Sequence, residues 1–518
     1  MKPYFAKWAA GRQFLKRKRQ QVYPSIHRLV RYGLIAIAVF LLTIWGVGRQ
    51  PAMASQVRHY TELEFPPLPE VTIPDYTTFT LDNGLQVFLM EDHELPLVSG
   101  TTMVRTGNRF EPMDKVGLAN IVGTVMRSGG SIHYPADELN TFLESRAASI
   151  ETGIGRVSGS ANFSALTEDV PEVMNRFADV IRHPVFPQDK IDLAVNQIRG
   201  GIARRNDSPD DIANREFRKL IYGDTSPYAR IVEYQTLAAI DRDNVVEFYQ
   251  QSFRPEQMML GINGDFDPAE MRSLIEAAFG DWQPVGENTI PDTLPAPLTD
   301  LTQQQKGGVF LINQPQLTQS SIQFGHIGER LDTPDFAALS VMDEAMNGLG
   351  GRLTNEVRSR QGLAYSVYSV WAPRYDYPGI FVGGGQTRSE STVPFIQSTL
   401  EEIEKIRTEP ITPEELTQAK DAVLNSFVFN FERPSQTLSR VMRYAYFGYP
   451  EDFIFQYQQA IVDTTVEDVQ MAAANRLKPE DIVIVVVGNE ADIQPDLGQL
   501  NPDNTVTAID VSIPEIES

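Results

Sequence analysis

The chain has 518 residues, a formal net charge of −23, six histidines and no cysteine. That length exceeds one ordinary domain. Lack of cysteine excludes disulfides, thiolate metal sites and a cysteine nucleophile, and the acidic balance excludes the basic face a nucleic-acid binder needs.

Residues 1–54 carry ten Lys or Arg and no Asp or Glu. A basic block, Lys16-Arg17-Lys18-Arg19, precedes an apolar run from Leu34 to Val47 and the small-residue stretch Ala52-Met53-Ala54-Ser55. This is the order of an export signal with a cleavage site. The alternative is a retained membrane anchor, for which the apolar run is short of the roughly 20 residues that span a bilayer. The expected location is the periplasm or another extracytoplasmic, including lumenal, compartment, with a membrane-anchored form as the alternative. Without residues 1–54 the chain keeps 35 basic and 68 acidic residues, a formal charge of −33. Such a surface repels nucleic acid and anionic lipid.

The rest of the chain repeats itself. Leu85-Gln86-Val87-Phe88-Leu89-Met90 resembles Gly307-Gly308-Val309-Phe310-Leu311-Ile312. Tyr222-Gly223-Asp224 resembles Phe447-Gly448-Tyr449, and Arg254-Pro255-Glu256 resembles Lys478-Pro479-Glu480. These colinear matches share nearly one offset and indicate a duplicated domain. The expected organisation is a signal at 1–54, a proline-rich lead-in arm at 55–75 and a first domain at 76–285. A proline-rich linker at 286–305, a second domain at 306–500 and a loose acidic tail at 501–518 follow.

Each half opens on strands (77–91 and 97–105; 308–313 and 319–326), helped in the first by an Asn83-Gly84 turn. All-apolar strands follow at Met258–Ile262 and Ile482–Val487. Asp267-Pro268-Ala269-Glu270 and Thr412-Pro413-Glu414-Glu415 are helix starts, with an N-cap, a proline at the first turn and a glutamate at the third position. The fold class expected is α+β: two homologous α/β-sandwich domains, each a mainly antiparallel sheet with helices on one face. Ser158-Gly159-Ser160-Ala161-Asn162 reads as an edge strand able to accept a peptide. Gly383-Gly384-Gly385 reads as the end of a strand, with no helix start to make a phosphate cradle. His326, without a neighbouring histidine, reads as structural.

One segment of the second half resembles a known family. Gly351-Arg352-Leu353-Thr354-Asn355-Glu356-Val357-Arg358-Ser359-Arg360-Gln361-Gly362-Leu363-Ala364-Tyr365-Ser366-Val367-Tyr368 is similar to the RL-x-x-x-x-R-x-x-x-GLAYSV segment of the insulinase/pitrilysin inverted zincins. The first half adds Asn83-Gly84-Leu85, Gly117-Leu118-Ala119 and Asp207-Ser208-Pro209 in family order. The resemblance is to the processing-peptidase-like branch of two-domain subunits. It implies that H-x-x-E-H follows Gly-Leu-Ala on a helix, binding zinc through two histidines with the glutamate as general base. Here Asn120 and Thr124 replace the histidines and Gly123 replaces the base. Gln197 stands where the family has its third ligand, a glutamate. The chain is therefore expected to bind no metal or other cofactor of its own. Arg358 and Tyr365, seven apart, match the pair that grips substrate and donates to the oxyanion.

The resemblance implies a non-catalytic, Arg/Tyr-providing subunit of an exported heterodimeric zinc metalloendopeptidase. Zinc is then expected in a homologous partner subunit, with peptides as substrates and membrane contact only through a retained signal. One alternative is a structural or peptide-binding homologue without peptidase function, like the family's respiratory-complex core subunits. Another is an autonomous peptidase with an atypical site.

Overall fold

The described residues form one compact unit. The structure, a computed structural model, describes residues 72–283, 301–348 and 350–514. The export segment, most of the arm, the proline-rich part of the linker and the last four residues lie outside the described residues. Among the described residues no helix is long and apolar enough to cross a membrane.

The first half contributes β1 (Thr77–Thr80), β2 (Gln86–Glu91), β3 (Leu97–Val104), β4 (Ser149–Ile154), β5 (Gly159–Leu166) and β6 (Met258–Gly264). The second contributes β7 (Val309–Asn313), β8 (Gln319–Ile327), β9 (Ala364–Ala372), β10 (Ile380–Arg388) and β11 (Val483–Gly488), with β12 (Thr507–Ala508) from the tail. The two sheets run β1-β2-β6-β3-β5-β4 and β12-β7-β11-β8-β10-β9. From β2 and β7 onward the order is the same, as a duplication requires. Each sheet is mainly antiparallel; β2 pairs parallel with β6, and β7 pairs parallel with β11 and with β12.

The first-half helices are α1 (Leu118–Ser128), α2 (Ala136–Ser145), α3 (Val170–Arg182), α4 (Gln188–Ala203), α5 (Pro209–Tyr222), α6 (Tyr234–Ala238), α7 (Arg242–Ser252) and α8 (Pro268–Phe279). The second-half helices are α9 (Phe336–Asn347), α10 (Thr392–Thr408), α11 (Pro413–Phe427), α12 (Pro434–Phe447), α13 (Phe453–Asp463) and α14 (Val466–Arg476). The two starts expected from sequence form as read. Asp267 accepts from Ala269 N at 2.9 Å and Glu270 N at 3.0 Å. Thr412 and Glu415 close a reciprocal capping box, which satisfies amides that have no partner within the helix.

β11 is apolar throughout, as is the middle of β2 from Val87 to Met90, because both of their faces are covered. In β11, Ile484 and Val486 join the second-half core, while Val483, Val485 and Val487 pack with Ile212, Phe217 and Ile221 of α5. In β2, Val87 and Leu89 face the first-half core, while Phe88 and Met90 pack with Leu438, Val441 and Met442 of α12. Each half thus keeps its own helices on one sheet face and covers the other half's opposite face with one helix. Both exchanged helices begin on proline, Pro209 and Pro434, and each carries in its last turn a tyrosine that crosses over. Tyr222 donates to Pro378 O at 3.0 Å and Tyr446 to Val157 O at 2.6 Å. A buried ion pair, Arg109–Asp376, also joins the halves.

Three sequence expectations change. Ser158–Asn162 is not an edge: β5 lies between β3 and β4, and the edge strand is β4. Gly383, Gly384 and Gly385 do not end a strand but sit inside β10. A Cβ there would meet the Phe324 ring, Ile322 O or Ser366 O at 2.2–2.4 Å, so the glycines admit close packing across the strand. The described part of the tail is not loose. Thr507 and Ala508 pair with β7, Ile509 and Val511 pack on the cluster between the halves, and Ile513 reaches the first-half core.

Candidate functional site

Helix α1 starts immediately after Gly117 and carries the positions the resemblance assigns to zinc. Its first amides are held by the buried Glu111 carboxylate, which accepts from Gly117 N at 3.2 Å and Ala119 N at 2.6 Å. Asn120 and Thr124, one turn apart, share its exposed face. Gly123, at the margin of that face, is buried against β4. A Cβ on Gly123 would lie 2.6 Å from Ile154 N and 2.9 Å from Gly153 Cα. Thr152 Oγ1 donates to Gly123 O at 2.5 Å. The helix therefore rests directly on the edge-strand backbone, with no room for a side chain at position 123.

Gln197 is exposed on α4, which packs beside α1. The donor set is two neutral amides and one hydroxyl, with a hydrogen in the base position. None supplies the imidazole or carboxylate that holds zinc, and none accepts a proton from water near neutral pH. These residues do not fit the family's metal.

The second half presents its own pair. Arg352 and Leu353 anchor the segment: Arg352 forms a two-point ion pair with Glu415 at 2.7 and 2.9 Å, and Leu353 and Val357 are fully buried. That ion pair raises the Arg352 pKa and lowers the Glu415 pKa. The backbone then winds through a wide turn, Thr354–Arg360, with Gln361 N donating five residues back to Glu356 O. Arg358 emerges from that turn exposed, and Tyr365, at the start of β9, is 85% exposed. The Arg358 guanidinium stands 5.1 Å from the Tyr365 ring centre, within cation–π range. The structure thus brings these two together on a rigid base with both polar ends in solvent.

β9 is the edge of its sheet, and part of that edge is already closed. Asn347 of α9 accepts from Ser369 N at 2.9 Å and donates to Ser369 O at 2.5 Å. Asp343 accepts from Trp371 N at 2.8 Å. Burial pushes the Asp343 carboxyl up to about 8. The sequence singled out neither residue, because an acid on an apolar helix carries no local mark of its strand partner.

His326 is 1% exposed. One ring nitrogen lies 2.7 Å from Ile327 O and the other accepts from Lys478 N at 3.1 Å. Burial drives its pKa down to about 4, so it is a neutral structural histidine.

Two family descriptions match this chain: Insulinase (Peptidase family M16) over residues 86–230, and Peptidase M16 inactive domain over residues 239–423. An uncharacterized zinc protease of Mycobacterium bovis is 26% identical over 419 residues, covering 77% of this chain and 90% of its own. The uncharacterized zinc protease YmxG of Bacillus subtilis is 21% identical over 364 residues, covering 70% and 86%. Among solved structures, the peptidase M16 inactive domain from Pseudomonas fluorescens superposes with a TM-score of 0.70 at 22% identity, covering 81% of this chain and 99% of that one. The periplasmic protease PqqL from Escherichia coli gives 0.68 at 15% identity, covering 83% and 48%. With matched descriptions in both halves and a duplicated α+β fold, the chain belongs to the insulinase, or M16, family of peptidases.

Proposed function

We propose that this chain is the subunit of an exported zinc metalloendopeptidase that supplies Arg358 and Tyr365 and binds no zinc at its own family site. The observation that carries this reading is the contrast between the two halves. The zinc helix is packed shut at Gly123 and lacks donors, while the Arg–Tyr pair is exposed on an anchored turn.

A homologous partner would supply the zinc-activated water. This chain's residues do the rest. The Arg358 guanidinium donates to a substrate backbone carbonyl. The Tyr365 hydroxyl donates to the oxygen that becomes negative when the scissile carbonyl is attacked. Because α9 closes β9 at Ser369 and Trp371, an extended peptide can add only along its Tyr365 end, beside both groups.

The test is reconstitution of the purified chain with a homologue that carries H-x-x-E-H. Peptide cleavage is expected from the mixture. Tyr365→Phe is expected to lower kcat by about 100-fold, the usual effect of losing one oxyanion donor, and Arg358→Ala by tenfold or more. Unchanged turnover in both variants would remove the proposed role. Peptide binding without cleavage in every pairing would support the second reading, a peptide-holding homologue, which the closed Gly123 contact also favours.

A further inference from the structure

Far apart in sequence, His133 and His183 meet at one carboxylate. His133 lies in the loop after α1, and His183 is the residue at which α3 ends. Asp179 lies one turn earlier in α3. The Nδ1 atoms of both histidines lie against the same oxygen, Asp179 Oδ1, at 2.8 and 2.7 Å. The imidazole rings meet edge to face with centres 5.7 Å apart. Among the described residues this is the one group of three or more His, Asp or Glu side chains placed to share an ion.

The backbone under the cluster is fixed. Ile132 N donates to His183 O at 3.0 Å, Val185 N to Gly130 O at 3.3 Å and His183 N to Asp179 O at 2.8 Å. Ser131 and Pro184 form a bridge between the two segments. Asp179 is 7% exposed, and its second oxygen accepts from His133 N at 3.2 Å. The carboxylate is thus oriented from behind while both imidazoles remain reachable from solvent, with side chains 65% and 36% exposed.

We propose that His133, Asp179 and His183 form a binding site for a divalent transition-metal ion of the zinc class, separate from the family's zinc helix. Two imidazole nitrogens and one carboxylate oxygen are the donors such ions select, and three protein donors leave a position for water. Donors around tetrahedral zinc stand roughly 3.4 Å apart, so the two exposed imidazoles need swing outward by only about 0.6 Å. In the tautomer whose Nδ1–H faces Asp179, binding moves that proton through solvent to Nε2 and frees the Nδ1 lone pair for the metal. Bound there, the ion would tie the loop at 130–135 to the end of α3, whose Val173, Phe177 and Ile181 are core residues.

The site amends the expectation that the chain binds no metal of its own, and it does not depend on the proposed partner. The test titrates the full chain, without affinity-tag histidines, with Co2+, followed by visible absorption and displacement by Zn2+. One equivalent is expected to bind. His133→Ala and His183→Ala are each expected to weaken binding about tenfold or more, and Zn2+ is expected to raise the Tm of the parent chain but not of either variant. His93→Ala and the triple variant Asn120→Ala, Thr124→Ala, Gln197→Ala are expected to leave the titration unchanged. Absence of a bound equivalent, or binding that survives both histidine substitutions, overturns the proposal.

Discussion

Among the described residues, burial raises the pKa of two carboxyls, Glu111 and Asp343. Glu111 is 5% exposed, and burial pushes its pKa up to about 7, against the opposing pull of its backbone partners and Arg230. Asp343 is pushed up to about 8 for the same reason. Above the ordinary carboxyl range the unfolded chain has lost these protons while the folded chain retains them. Their contribution to stability is therefore present at low pH and is lost as pH rises through about 7 and 8. Glu111→Gln keeps an oxygen to accept from Gly117 N and Ala119 N but has no charge to desolvate. Its urea midpoint is expected to match the parent near pH 5 and exceed it near pH 8, by a free energy on the order of 3 kcal/mol. A variant whose stability differs from the parent's by the same amount at both pH values would show that the fold does not raise the Glu111 pKa. Nothing in the sequence marks Glu111, since its burial comes from the turn that returns it to the start of α1.

Among elements, the contact between α1 and β4 decides the most. The sequence has Asn120, Gly123, Thr124 and Gln197 where the resemblance expects zinc ligands and base. It does not show that β4 packs into the space a side chain at position 123 would need. The residues of β4, Ser149-Ile150-Glu151-Thr152-Gly153-Ile154, include one fully buried side chain, Ile150, and so carry little apolar alternation. The close approach makes a specific prediction. Gly123→Ala should cost about 1–3 kcal/mol, the usual range for overpacking a tight contact. The combined variant Asn120→His, Gly123→Glu, Thr124→His, Gln197→Glu should then show no peptidase activity. Peptide hydrolysis by that variant would mean that β4 yields and that the site was lost through its side chains alone.

At the scale of the molecule, the halves are joined by exchange as well as by a linker. Helices α5 and α12 cover each other's sheets, the Arg109–Asp376 pair crosses between them, and the tail lies over the joint. Neither half keeps both sheet faces buried without the other. Calorimetry should therefore show one unfolding transition for residues 72–514. A chain ending at residue 500 loses the apolar contacts of Ile509, Val511 and Ile513, each partly buried. It should be less stable by about 2–3 kcal/mol, at roughly 1 kcal/mol for each half-buried side chain. Separate melting of two halves, or no effect of the truncation, would contradict this account of the joint.

By itself the sequence determined the duplication, the α+β class and the family, and it places no imidazole or carboxylate at Asn120, Gly123, Thr124 and Gln197. These are local or colinear properties: motif residues at helical spacing, capping residues at helix starts and apolar runs at one offset. The all-apolar β11 already required cover on both faces, though not by which helix. Tertiary structure alone decided that α5 and α12 change sides, that the tail is a strap and that β4 closes on Gly123. It also brought His133 and His183 to one carboxylate. These depend on which surfaces meet when segments far apart along the chain are packed, and surface complementarity over such separations leaves no periodic mark in the residues that create it.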